Sequence, residues 1–263
     1  MENKSKLHFE ENWYGNAQKG IDTKQLWNKL GMTTNEVDKF LIIIELLKLG
    51  DFSAKKDLII MMNESKDVEI RKFTSMLFCS IANHSDVHSI EKFLATGCED
   101  EICAFTTYSY QLLSFKIVPY LLALLEEWDD TYVEQIIRDA LSYILDYERF
   151  LPEECTVDEI GELYLKIIQN SEEGRYYYKA NLVFPGDLTK KLIEASAISR
   201  KNNKSLLLST IPNLLSIWSG IECPVEYNTV VDDDGMRKVF DYVKQISKMN
   251  WEKGCKYFYG YKI

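Results

Sequence analysis

Only three histidines, His8, His84 and His88, occur in the 263 residues, so imidazole chemistry has few places to reside. Asn83-His84-Ser85-Asp86-Val87-His88 sets two of them four residues apart, and on one continuous helix they would share a face as a metal-binding pair. Asp86, however, has the character of a helix N-cap and breaks the helix between them. Asp232-Asp233-Asp234-Gly235 suggests a cation loop, but the Glu that closes an EF-hand would be residue 243, which is Val243. That segment reads as the acidic start of a helix before Met236. The six cysteines, Cys79, Cys98, Cys103, Cys155, Cys223 and Cys255, form no CxxC pair and read as free thiols in a reducing compartment. No P-loop, GxSxG or GxGxxG is present. Carboxylate pairs are plentiful, yet among 41 Asp and Glu they carry no weight without geometry. No enzyme activity, cofactor or metal site is therefore expected.

The elements that would carry any functional surface are helices. Val133, Ile136, Ile137, Ala140, Leu141 and Ile144 fall on one helical stripe, and a second opens at Asp67 with Ile70, Phe73, Leu77 and Ile81. Start signals stand at Ser53, Asp67, Asp86 and Thr156, the last with Glu159 as a capping box. Asn181-Leu182-Val183-Phe184 reads as a short extended piece, after which Pro185 and Gly186 open a helix; Ser219-Gly220 ends another. First helices starting near Ser53, Asp86 and Lys116, and second helices near Asp67, Glu99 and Asp130, repeat every 30 to 33 residues. Stacked hairpins explain such a period, because each leaves an apolar face that only the next can cover. The longest apolar run, Phe40 to Leu47, is far short of the roughly 20 residues that cross a bilayer, and Met1 to Glu11 lacks a signal peptide. A cytoplasmic protein with no membrane association is expected.

Asp57-Leu58-Ile59-Ile60-Met61-Met62 followed by Asp67…Ile70-Arg71, and Pro119-Tyr120-Leu121-Leu122-Ala123-Leu124-Leu125 followed by Asp129…Ile137-Arg138, resemble a HEAT repeat. The period is shorter than the roughly 40 residues usual for it, and the middle hairpin lacks the hydrophobic-Arg pair; the tetratricopeptide signature is missing altogether. The expected fold is all-α, a HEAT/ARM-like α-solenoid in a single domain over 1–263. Capping helices would occupy 1–50, HEAT-like hairpins 51–150, and an irregular helical C-terminal segment 151–263, with the short extended stretch near 181–184.

The net charge of −10 is unevenly spread. Residues 1–84 hold 12 Lys+Arg and 12 Asp+Glu, residues 85–173 hold 5 and 20, and residues 174–263 hold 14 and 9. Like charges packed on one surface destabilise a fold unless something selects for them, and they oppose binding to nucleic acid. Tyr108, Tyr110, Trp128, Tyr132, Tyr143 and Tyr147 lie among these acids. Carboxylates that steer a basic protein, with aromatics as anchors, make a protein-binding face. The residues expected to contact a partner are Glu101, Tyr108, Glu134, Asp139, Tyr143 and Asp146 on the second helices, with Glu126, Glu127, Asp129 and Asp130 at a hairpin tip; the Tyr176-Tyr177-Tyr178 insertion is an alternative surface. Arg138 is expected to be structural, pairing neighbouring repeats.

The C-terminal stretches Phe184-Pro185-Gly186-Asp187-Leu188-Thr189-Lys190, Leu214 to Tyr227 and Asn250 to Ile263, with Trp13-Tyr14-Gly15 and Leu46-Leu47-Lys48-Leu49-Gly50-Asp51-Phe52, resemble the bacterial immunity-protein family numbered 47 of polymorphic toxin and contact-dependent growth inhibition systems. That resemblance implies a cytosolic antidote that binds and neutralises a cognate toxin domain as a heterodimer, with no enzyme activity. Many such toxins act on RNA or DNA and have basic clefts, so a nuclease, in particular a ribonuclease, is the toxin expected, its active site covered by the acidic surface. The alternative is a HEAT-like scaffold that joins proteins without inhibiting them.

Overall fold

A computed structural model describes residues 14–18 and 20–263; His8 and Trp13 lie outside the described residues. The described chain is mostly helical. In chain order its helices are α1 (Thr23–Met32), α2 (Glu36–Lys48), α3 (Lys55–Glu64), α4 (Val68–Ile81), α5 (Glu91–Thr96), α6 (Glu99–Ser109), α7 (Val118–Glu127), α8 (Tyr132–Leu145), α9 (Val157–Gln169), α10 (Pro185–Asn202), α11 (Ile211–Ser219) and α12 (Asp233–Ile246). Two small antiparallel hairpins accompany them. β1 (Tyr177–Tyr178) pairs with β2 (Asn181–Leu182), and β3 (Tyr257–Phe258) with β4 (Tyr261–Lys262). No described helix is long and apolar enough to cross a membrane.

The chain divides into two compact units. The central unit, Ser53–Val183, covers the stretch in which helix starts recur in the sequence. Here α4 packs on α3 and α6, α6 on α8, and α7 on α8 and α9. The expected stripes face inward: Ile70, Leu77 and Ile81 of α4 and Val133, Ile137, Ala140, Leu141 and Ile144 of α8 are buried, while Phe73 and Ile136 are half-buried. Side chains about 30 residues apart in the sequence meet within this unit. Lys55 Nζ meets Asp86 Oδ2 at 2.6 Å, 31 residues apart; Ser80 Oγ donates to Gln111 Oε1 at 2.6 Å, also 31 apart; and Tyr120 Oη donates to Glu91 Oε1 at 2.8 Å, 29 apart.

Helix starts differ in detail from the expectation. Asp67 caps α4 by accepting from the Glu69 and Ile70 N–H groups, and Thr156 with Glu159 forms the capping box of α9. The first helices instead enter through short 3₁₀ turns, Phe52–Ala54, Val87–Ile90 and Phe115–Ile117. Asp86 caps none of them, because its carboxylate is held by Lys55 and the Asn83 N–H. Asp130 lies ahead of α8 rather than at its start, with φ 58, and Thr131 takes the N-cap position.

The terminal unit joins the described residues up to Phe52 with Phe184–Lys262, so the segment expected to cap the repeats groups with the C-terminal residues. Aromatic and amide chemistry makes that closure. Tyr259 Oη donates to the Gly15 carbonyl at 2.5 Å, buried Lys48 donates to the Tyr14 carbonyl and to Glu45, and the Tyr14 and Phe258 rings stand 6.0 Å apart. Trp27 Nε1 donates to Asp51 Oδ2 at 2.7 Å. Gly50, at φ +80, brings its backbone against the Tyr261 ring where a Cβ would lie 2.7 Å from it. Tyr14, Gly15, Lys48 and Gly50 of the N-terminal motifs therefore meet Phe258, Tyr259 and Tyr261 of the tail or one another within this unit.

One construction occurs in both units. Pro119 and Pro185 sit in the first turns of α7 and α10, and each of these helices packs on the next two, α8 and α9 or α11 and α12. The second helix ends on a left-handed residue, Asp146 (φ 55) or Gly220 (φ 70). A hairpin then docks on that end through its two turn residues. The Lys179 and Ala180 N–H groups donate to the Tyr143 and Ile144 carbonyls, both at 2.8 Å, and those of Tyr259 and Gly260 to Ile217 and Trp218 at 2.8 and 2.6 Å. The first strand's tyrosine accepts from the backbone five residues back, Glu172 N–H to Tyr177 Oη at 2.6 Å and Glu252 N–H to Tyr257 Oη at 2.7 Å. Both hairpins thus satisfy carbonyls that a helix end leaves without intrahelical partners.

Candidate functional site

Divided by unit, the acidity belongs to the central one. Residues 53–183 hold 12 Lys+Arg against 24 Asp+Glu, while the remainder hold 19 against 17. Between Lys116 and Arg138 there is no cationic residue, and this stretch forms the tip joining α7 to α8. Glu126 and Glu127 occupy the last turn of α7, and Asp129 and Asp130 the loop; all four are exposed. Half-buried Trp128 closes α7 by donating its N–H to the Leu124 carbonyl at 2.9 Å.

Local stability does not account for this tip. A carboxylate in the last turn of a helix opposes the macrodipole, at a cost of about 0.3–1 kcal/mol. Glu126 and Glu127 are in that position, with no basic residue in the turn. Asp129, Asp130 and Glu134, at the opposite end of the next helix, have the favourable sign. Their carboxylate oxygens lie within 4.8 Å of one another, a spacing that one cation, metal or side-chain, can bridge. Glu134 also accepts from Arg138 Nε at 2.7 Å, while its other oxygen takes the Asp130 N–H at 3.3 Å.

The remaining expected contact residues separate by environment. Asp139 is exposed and accepts from Gln135 at 2.8 Å; Tyr108 is half-buried on α6. Tyr143 and Asp146 are half-buried and belong to the hairpin joint: Lys179 Nζ lies 3.5 Å from Asp146 Oδ1 and 5.9 Å from the Tyr143 ring centroid. Glu101 is a correction. It is 2% exposed, its Oε2 accepts the Cys98 N–H at 2.7 Å as the cap of α6, and its Oε1 lies 3.1 Å from Arg71 Nε of α4. The side chain that reads as a surface acid in the sequence is a cap and an interhelical ion pair. Arg138 is structural as expected, although its carboxylate partner lies on its own helix; its Nη1 donates to the Cys155 carbonyl at 3.1 Å and ties α8 to the loop before α9.

Tyr132, at 61% exposure the most open aromatic of this surface, was not among the expected contacts. Its hydroxyl accepts from Cys103 Sγ at 3.5 Å, and hydrogen bonds with Cys103 and then Glu99 push the phenol above its ordinary range. The 29-residue separation of Cys103 and Tyr132 is close to the spacing of 30 to 33 residues between helix starts, the sequence signal that could have found the pair. His84 is stacked on Tyr176 at 4.1 Å and bonded to Ser114 Oγ, and His88 is exposed on a 3₁₀ turn. Asp232 caps α12 by accepting the Gly235 N–H at 2.7 Å. Among the described residues no cysteine is in a disulfide.

The α7–α8 tip thus carries exposed carboxylates with half-buried Trp128 and exposed Tyr132 beside them in the chain, and no cationic residue between Lys116 and Arg138. The family model described as Immunity protein 47 matches residues 9–263 of the chain. No curated protein and no solved structure matches it.

Proposed function

The chain belongs to the Immunity protein 47 family, and from that premise we propose that it binds and neutralises a cognate toxin domain of a contact-dependent or polymorphic toxin system. The α7–α8 tip covers the toxin's basic, nucleic-acid-handling cleft, with a ribonuclease the favoured class. The observation that carries this reading is the concentration of acids in the central unit, at a tip where Glu126 and Glu127 oppose their own helix dipole. A surface kept against local stability is one maintained for a partner.

Electrostatic steering between such a face and a polyanion-binding cleft raises association rates to about 10⁸–10⁹ M⁻¹s⁻¹, and half-buried Trp128 and exposed Tyr132 supply aromatic area for slow release. The contact set is Tyr108, Glu126, Glu127, Asp129, Asp130, Glu134 and Asp139, with Tyr143 and Asp146 at its hairpin edge and Glu101 left out. The protein acts in the cytoplasm as one partner of a heterodimer, its central unit a HEAT-like stack, without catalysis of its own. Mixing the purified chain with the toxin domain encoded beside its gene tests the reading. A stable one-to-one complex with loss of toxic activity is expected. A complex that leaves the toxin fully active would instead support the scaffold reading.

A further inference from the structure

The two copies of the helix-and-hairpin construction differ in their third helix. In the terminal unit α12 packs on α10 and buries Met236, Val239, Tyr242 and Ile246. In the central unit the corresponding helix, α9, packs on α7 but buries Ile160 alone. Leu163, Tyr164, Ile167 and Ile168 remain half-buried, and Leu165 is 53% exposed. The copies also differ in charge, with 5 Lys+Arg against 15 Asp+Glu over 118–183 and 12 against 9 over 184–262. One local construction therefore holds with either charge pattern, and neither the acids around α9 nor its uncovered apolar side chains are demanded by it.

An amphipathic helix with an incompletely covered apolar side is a docking element, and here the surrounding charge selects the occupant. Asp158, Glu159 and Glu162, with Lys166 the one cation on the helix, line the exposed part of α9, Glu153 and Glu154 precede it, and Glu172, 3.6 Å from Arg175 Nε, and Glu173 follow it; the acids are all exposed. We infer that α9 is a second part of the toxin-binding surface, on which a cationic segment of the toxin domain seats an apolar side chain against Leu165 and its half-buried neighbours while its lysines or arginines meet the flanking carboxylates. This rests on the toxin-neutralising reading and extends its contact set to a helix outside the residues expected from sequence. The division of labour follows from the chemistry: the apolar contact governs release, and the exposed acids govern encounter.

Three single variants test it against the toxin domain encoded beside the gene, by biosensor kinetics at low and high salt. Leu165→Arg and Glu162→Lys alter exposed positions of α9, and Phe240→Arg alters an apolar side chain of α12 that is 51% exposed. Leu165→Arg should weaken the complex at least about tenfold, mainly through faster dissociation, and Glu162→Lys should slow association, while Phe240→Arg binds as the unaltered protein does. Unchanged thermal unfolding of Leu165→Arg and Glu162→Lys would show that the helix is intact. If the unaltered protein binds and both α9 variants bind equally well, the inference falls and the toxin-neutralising reading stands. If the unaltered protein forms no complex, both fall.

Discussion

Replacing Glu101 by Ala separates a structural carboxylate from a binding one. Glu101 is 2% exposed, and its partner Arg71 has a side chain 14% exposed, so both charges are largely out of water. Removing one member of a buried pair costs about 3–5 kcal/mol, because the other charge is left uncompensated. The residual hydration of Arg71 places this case toward the lower end, near about 3 kcal/mol. The Cys98 N–H also loses its acceptor, a capping loss of about 0.5–2 kcal/mol. Domains are stable by only about 5–15 kcal/mol, so Glu101→Ala should move the urea midpoint of the central unit well down. Glu101→Gln, which keeps an oxygen for the cap but not the charge, should fall between. Arg71→Met with Glu101→Met should lose less than the two single changes added, since no lone charge remains. At low temperature, where the variant is folded, its affinity for the toxin domain should match that of the unaltered protein. An unchanged urea midpoint combined with lost toxin binding would refute the assignment and return Glu101 to the contact surface.

Other expectations follow from the same geometry. Tyr177→Phe and Tyr257→Phe each remove the hydroxyl that accepts a backbone N–H and should each destabilise by about 0.5–1.5 kcal/mol in denaturant titration; a large loss from one and none from the other would contradict the equivalence of the two joints. Gly50→Ala places a Cβ 2.7 Å from the Tyr261 ring at φ +80 and should lower stability by more than about 1 kcal/mol, read by thermal unfolding. In native protein at pH 8, iodoacetamide should label exposed Cys98 first, whereas Cys223, whose thiol burial pushes up to about 12, and buried Cys79, Cys155 and Cys255 should react only on unfolding. Peptide mapping by mass spectrometry reads the order.

Much of the central unit is legible from sequence because its information is local. A stripe such as Val133 to Ile144 specifies both a helix and its buried face, and Asp67 and Thr156 mark helix starts by a side-chain acceptor that works within three residues. What sequence does not show is where a polar side chain finds a distant partner. Asp86 has the look of a cap but is taken by Lys55, 31 residues away, and Glu101 has the look of a surface acid but meets Arg71 of the preceding hairpin. The closure of the terminal unit is hidden for the same reason: Gly15 and Tyr259 are 244 residues apart. The small hairpins escape helix periodicity because each strand has only two residues, and their four left-handed turn positions are filled by Lys179, Ala180, Tyr259 and Gly260, of which only glycine announces such a turn. At the candidate surface the composition of the α7–α8 tip was visible, whereas the half-uncovered state of α9 appears only on comparison with α12.

The central claim is that carboxylates of the α7–α8 tip steer a basic toxin domain onto this protein. The most direct measurement is the stopped-flow association rate of the cognate toxin domain, across a salt series, for the unaltered chain and for Glu126→Lys/Glu127→Lys/Asp129→Lys/Asp130→Lys. Fast association that slows steeply with salt is expected, with a fall of at least about tenfold and a flattened salt dependence in the reversed variant. Equal rates and equal salt slopes for the two proteins, with the complex still forming, would contradict the claim.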